Sequence, residues 1–262
     1  GLMKMMAIGM GKHRGCFEVH KQTVKFGYRD VIPEIGRIIM DKLPILFGIG
    51  VLENIYDETA VIRAMLPASF EEEETRLLAR AKRLMARLPF ENIDVLVVDE
   101  MGKNISGTGM DTNVIGRIMF IGEKEPKRPK ITRIVVLDLT SESHGNAVGV
   151  GLADYTTQRL LNKTDHGATA TNAITAMTPE KGRMPIALAT DKAAVEAALE
   201  TVGAVELENA RLVHVKNTLE ISELHISQAL FDEAGRREDL SLINELGPLS
   251  FDEGGDIRRV SL

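Results

Sequence analysis

The chain has 262 residues, 44% of them hydrophobic, and a formal net charge of −6, which supplies material for one large core or two modest ones and excludes a disordered chain. One cysteine, Cys16, excludes an internal disulfide framework, and with no charged leader at the start it implies a reducing, cytoplasmic setting. The apolar runs Pro44 to Leu52 and Val95 to Val98 are too short to cross a bilayer, and an acidic balance with 4% aromatics excludes a nucleic-acid footprint.

In chain order, Gly1 to Met6 has the density of a helix interior without a capping residue, as though the chain began inside an element. From Cys16 to Leu43 the apolar spacing predicts two helices, broken near Gly27 and Pro33. Ile45 to Leu52 reads as a buried strand and Thr59 to Met65 as a second extended stretch. Ser69 to Leu88 is a helix, with Ser69 as cap, four glutamates in the first turn and basic residues at the end. Ile93 to Asp99 is a Val/Leu strand that delivers Asp99 and Glu100 into the glycine-rich loop Met101 to Gly116. The basic group Lys124, Lys127, Arg128, Lys130 and Arg133, interrupted by Pro126 and Pro129, reads as a solvated loop ahead of the next strand. Ile134 to Leu139 then repeats the design, emptying into Thr140 to Asn146. A helix from about Ala153 to Asn162, a strand at Pro185 to Ala189, a helix at Lys192 to Val202, a strand at Ala210 to Val215 and a helix at Leu224 to Ala234 continue the alternation. Strands alternating with helices argue for an α/β sheet, whose ligands collect beyond the carboxyl ends of the strands.

Those two polar loops are where chemistry belongs. Gly102, Gly107 and Gly109 let backbone approach a ligand, and Lys103, Asn104, Ser106, Asp111 and Asn113 offer charge and hydrogen bonds suited to an acidic or polyhydroxylated molecule. Asp111 equally suits the cap of a helix starting at Thr112. In the second loop Glu142, His144 and Asn146 lie where a base or donor could reach a shared cleft, with His144 the weak catalytic candidate. His13, His166, His214 and His225 read as structural. Met3, Met5, Met6 and Met10 read as helical core rather than a soft-metal site.

The amino-terminal pattern Gly1, Lys4, Gly9, His20, the run Val98 to Val114 and the run Thr140 to Gly151 resemble the nickel-pincer-dependent lactate racemase family, specifically a subgroup distinct from the lactate enzyme. The resemblance covers nearly the whole chain. It implies that Lys4 carries a nicotinic-acid-derived pincer nucleotide through a thioamide, and that His20 supplies the protein's ligand to its nickel, an imidazole being a good donor to a square-planar centre. It further implies a two-domain α/β architecture with Rossmann-like sheets flanked by helices, its N-terminal portion truncated. Residues 1–90 would be the remainder of the cofactor-binding domain, 91–216 the C-terminal α/β domain, and 217–262 a segment returning to the first. The family's proton-transferring histidines would lie upstream of Gly1, so the fragment alone would lack acid and base.

Departures from the lactate enzyme follow Asp111-Thr112-Asn113. Gly116 and Met119 stand where a glutamine and a lysine hold lactate, and Arg117 is the nearest cation. The implied activity is racemisation or epimerisation of a 2-hydroxy acid or sugar acid by proton-coupled hydride transfer. The implied partners are the cofactor-synthesis enzymes, a small hydroxy-acid substrate and a second copy of the chain. The competing reading is a non-catalytic α/β module that recognises a nucleotide or acidic small molecule through Gly102 to Gly116.

Overall fold

The structure, a computed structural model, describes residues 2–54 and 58–258. Gly1 of the amino-terminal pattern and the end of the charged tail lie outside the described residues, as does the side chain of His13. The chain divides into two compact units: Gly1–Ala86 with Phe120–Lys124 and Ala173–Thr178, and Arg87–Met119 with Glu125–Asn172 and Pro179–Leu262. Residues from Pro179 onward fall in the second unit. Among the described residues no helix is long and apolar enough to cross a membrane.

The first unit holds helices α1 (Leu2–Ala7), α2 (Lys12–Phe26) and α3 (Tyr28–Lys42), an antiparallel ribbon of β1 (Gly48–Glu53) and β2 (Thr59–Met65), and helix α4 (Phe70–Leu84). The break between α2 and α3 falls at Gly27 alone, where φ is +91° and a side chain would be strained. Pro33 stays inside α3, which loses one amide donor there and continues. Both α1 and α2 pack on α3, and Met3 lies against Gly36, where a Cβ would meet Met3 at 2.9 Å. Met3 and Met6 are buried with Met65 and Phe70, as a packing role requires, whereas Met5 and Met10 are exposed. Ser69 makes no side-chain cap to α4: its hydroxyl donates to Leu66 O inside a short 3-10 turn, and Glu71, Glu72 and Glu73 in the first turn favour the helix start instead.

Strand β1 is not buried. Phe70 and Leu77 pack against Gly48 and Gly50, but Ile49, Val51 and Ile62 are 53%, 52% and 69% exposed. A two-stranded ribbon with a helix on one face leaves the other face open.

The second unit is built on a six-stranded sheet in the order β6-β5-β4-β3-β7-β8. Strands β3 (Asn92–Met101), β4 (Lys130–Leu139), β5 (Tyr155–Thr157), β6 (Ile186–Leu188) and β7 (Leu212–Val215) are parallel, and β8 (His225–Ile226) pairs antiparallel to β7. Val95, Val97, Val135 and Leu137 face helix α7 (Asp191–Glu200), which buries Ala194, Val195 and Ala198 against them. Leu96, Val98, Ile134, Val136 and Val213, pointing the other way, are also fully buried, so both faces are covered as a parallel sheet requires.

Three expected helices differ. The one from Ala153 begins as β5, where Tyr-Thr-Thr is strand-forming, and only α5 (Gln158–Lys163) is helical, capped by Thr157 Oγ1 accepting from Leu160 N. Leu224 to Ala234 splits into β8, a 3-10 turn and α8 (Phe231–Gly235). No helix follows Asp111, although its Oδ1 accepts from the amides of Asn113 and Val114 and caps a turn there. Helix α6 (His166–Thr175), in turn, was not expected; Asp165 Oδ1 accepts from Ala168 N at its start.

One close approach holds two connections of the sheet together. At Gly149, φ is +104° and a Cβ would sit 1.8 Å from Thr108 O, whereas at Gly203 φ is +109° with open space around it. Gly149→Ala should therefore lower unfolding free energy by about 2–4 kcal/mol, and Gly203→Ala by only about 1 kcal/mol, in urea titrations. Equal losses would show that backbone strain, not overlap, sets the cost at Gly149.

Candidate functional site

A parallel strand pair needs a crossover that returns the chain to the starting edge of the sheet. Residues 102–129 form that crossover between β3 and β4 without a helix, and its two ends sit at opposite rims. Gly102 to Gly109 stay at the carboxyl rim, while Gly116, whose Cβ would meet Pro129 O at 2.0 Å, has already reached the start of β4. Lys103, Asn104 and Ser106 are thereby separated from Arg117. The Arg117 guanidinium lies 3.1 Å from Asp154 Oδ2 and donates to Leu152 O, at the amino ends of β5 and β6. There Arg117, Met119, Asp154, Arg183, Met184 and Pro185 line an open cavity of about 340 Å³.

At the carboxyl rim the two predicted loops touch. Thr140 Oγ1 donates to Asn104 Oδ1 at 2.6 Å and lies 2.7 Å from Ser143 Oγ, which accepts from Lys103 N at 2.9 Å. Gly102 makes room for this cluster, since a Cβ there would sit 2.0 Å from Thr140 Oγ1 and 2.6 Å from Ser143 Oγ. Ser106 Oγ lies 3.2 Å from Thr108 Oγ1. Lys103 Nζ donates to Gly107 O, and burial pushes its amine below the ordinary lysine value. His144 is exposed in the left-handed region at φ +47°, ending the turn Ser141–Ser143. Asn146 is structural: its amide donates to Asn172 and its carbonyl accepts from Val148 N.

The order of strands puts a topological switch at β3, since β4, β5 and β6 extend to one side of it and β7 lies on the other. The crevice outside such a switch is where α/β sheets bind ligands. Its residues on the β7 side, Lys216, Asn217 and Thr218, escaped sequence reasoning. Asn217 Nδ2 donates to Glu100 Oε1 at 3.2 Å, and Asp111 N donates to Thr218 Oγ1 at 2.9 Å, so Asp111 belongs to this crevice with Asn113 beside it. The missed signal was polar Lys-Asn-Thr directly after the strand Leu212–Val215.

In the first unit, Lys4 is exposed on α1 with Nζ 5.9 Å from the Tyr28 ring centroid. His20 is partly buried on α2. Its Nδ1 lies 2.8 Å from Cys16 O and 3.4 Å from Cys16 Sγ, so Nδ1–H donates to the carbonyl and Nε2 carries the lone pair. Burial raises the Cys16 thiol above its ordinary value. Among the described residues no cluster of three or more His, Cys, Asp or Glu is placed to hold a metal. Asp165 and His166, adjacent in sequence, form no dyad, because Asp165 is engaged in capping α6.

Comparison of the chain with protein-family models, curated proteins and solved structures returns no match.

The hydroxyl cluster gives a direct test. Thr140→Val takes a partner from the buried Ser143 Oγ and from the exposed Asn104 Oδ1, and should cost about 1–2 kcal/mol in urea unfolding. Ser106→Ala, whose partner Thr108 still donates to Met110 O, should cost under about 0.5 kcal/mol.

Proposed function

We infer that the chain is part of a racemase or epimerase of 2-hydroxy acids or sugar acids, with the two-domain architecture of the lactate racemase family. In this reading Lys4 tethers a nickel-pincer nucleotide and His20 ligates its nickel. The observation that carries the reading is the state of His20. A ligating imidazole normally donates its second N–H to a carbonyl or carboxylate, which fixes the ring and leaves the other nitrogen for the metal. Cys16 O accepts that hydrogen from His20 Nδ1, leaving Nε2 as the donor atom.

The residues fit the group in two further respects. Lys4 is exposed, so its amine is accessible for acylation, and the helices carrying Lys4 and His20 both pack on α3. A group that brings its own donors asks the protein for one ligand, so a cluster of three protein ligands is not required. When bound, such a group supplies a hydride acceptor. The chain's own residues hold it, through Lys4 and His20. Within the second unit, Lys103, Asn104 and Ser106, with Asp111 and Asn113 in the crevice, are polar groups suited to a carboxylate and a hydroxyl. Arg117, committed to Asp154, is a weaker substrate ligand than its charge suggested.

A second reading, a non-catalytic module for an acidic small molecule or nucleotide, is favoured by the β3/β7 switch alone and needs neither Lys4 nor His20.

Protein produced together with the cofactor-synthesis enzymes should carry nickel and show a mass increase at Lys4. Lys4→Ala should abolish the adduct, and His20→Ala should keep the adduct but lower nickel retention by about 10–100-fold. Retention of adduct and nickel in both variants contradicts the assignment.

A further inference from the structure

His214 reads from the sequence as structural and Asp99 as a residue that its strand delivers to the loop; the two form a buried polar pair in the switch. His214 Nε2 lies 2.7 Å from Asp99 Oδ1, with the two side chains 5% and 9% exposed. Among the described residues His214 Nδ1 has no hydrogen-bond partner. The ring that meets His214 is that of His225, edge to face with centroids 5.3 Å apart and an interplanar angle of 70°. These two residues are also backbone neighbours, because β8 joins the sheet through only Val213↔Ile226 and His214↔His225.

We propose that β8 is an acid-released latch: protonation of His225 detaches β8 from β7 and frees residues 216–224 at the β3/β7 crevice. That segment holds the crevice closed. Lys216 O accepts from Glu100 N, Asn217 binds Glu100 and, through Oδ1, the amides of Leu219 and Glu220, and Thr218 accepts from Asp111 N. Downstream, Ser227 remains anchored, its N donating to Leu212 O and its hydroxyl to Ala210 O, so opening stops there.

The titratable groups facing His225 are His214 on β7, Asp99 on β3 and Glu223 in its own loop. Desolvation is the largest influence and pushes His225 below its ordinary 6.5; His214 adds to this, while Asp99 and Glu223 oppose it. An imidazole so depressed binds fewer protons in the latched state than when freed. The latch is therefore closed near neutrality and opens as pH falls below 6.5 through the latched value. Nothing in the inference depends on nickel or on Lys4. It makes ligand access to the crevice a function of pH.

Amide hydrogen exchange, corrected for intrinsic rates, tests it between about pH 7.5 and about pH 5. In the intact chain the amides of Asp111, Leu219 and Glu220 should lose protection about tenfold or more on acidification while those of Val135 and Val136 in β4 do not. His225→Gln, which cannot be protonated, should keep the three amides protected at both pH values. A ring-proton titration of His225 in the unmodified chain supplies a check that needs no variant: its midpoint should coincide with the loss of protection. Unchanged protection in the intact chain, an equal acid response in His225→Gln, or a midpoint displaced from the opening would each overturn the latch. The first would mean that Asp99 holds the imidazolium in place.

Discussion

Every feature of the second unit depends on β3 being paired in parallel on both edges. Parallel pairing forbids a tight turn, so the chain must leave the carboxyl rim and travel the width of the sheet before β4 can begin. The same rule places the far ends of β4, β5 and β7 beside that of β3. Polar side chains that follow these strands are thus gathered from positions 99–113, 138–143 and 214–220 without any local sequence signal to announce it. The cost is that the crossover itself is split: Lys103 and Arg117, fourteen residues apart in one glycine-rich run, end at opposite rims.

Charge at the carboxyl rim is mostly spent on holding the rim together. Arg159 is shared by Asp138, Asp191 and Asp256, and Lys163 adds to Asp138. Asp191 Oδ2 accepts from Ile257 N, and burial raises the Asp191 carboxyl above its ordinary value despite Arg159. This cluster docks the segment around Asp252 to Ile257 onto α7, with Gly255 against Thr190. The final residues of the described chain are therefore part of the sheet's own packing. Outside that cluster the rim carries Lys103, whose amine donates to Gly107 O, Glu100, which accepts from Asn217, and Asp111, which accepts from the amides of Asn113 and Val114.

How much of this the sequence disclosed follows from the length and purity of each pattern. Strands β3 and β4 were legible because Ile93-Asp-Val-Leu-Val-Val and Ile134-Val-Val-Leu are apolar runs, as strands buried on both faces must be. Three-residue β5 offered no periodicity and was absorbed into the helix after it. Helix α6 was hidden by Thr169, Thr171 and Thr175, β-branched polar residues that carry no apolar stripe. The two loops were located correctly because polar residues after a strand need no tertiary information. The Asp99/His214 pair was not, because its members lie 115 positions apart and meet only when β7 takes its place beside β3. Ile49 and Val51 misled for the opposite reason: the apolar run Ile45 to Leu52 was read as a buried strand, but the ribbon has a helix packed on one face only.

In the first unit the functional reading rests on one hydrogen bond, the Cys16 carbonyl accepting from His20 Nδ1 and leaving Nε2 outside that bond. The most direct measurement is nickel-edge X-ray absorption on protein loaded with the group in the presence of its synthesis enzymes. The account expects one imidazole nitrogen in the nickel shell, absent in His20→Ala, with no carboxylate from the chain. A shell without imidazole, or one unchanged by that substitution, would contradict it.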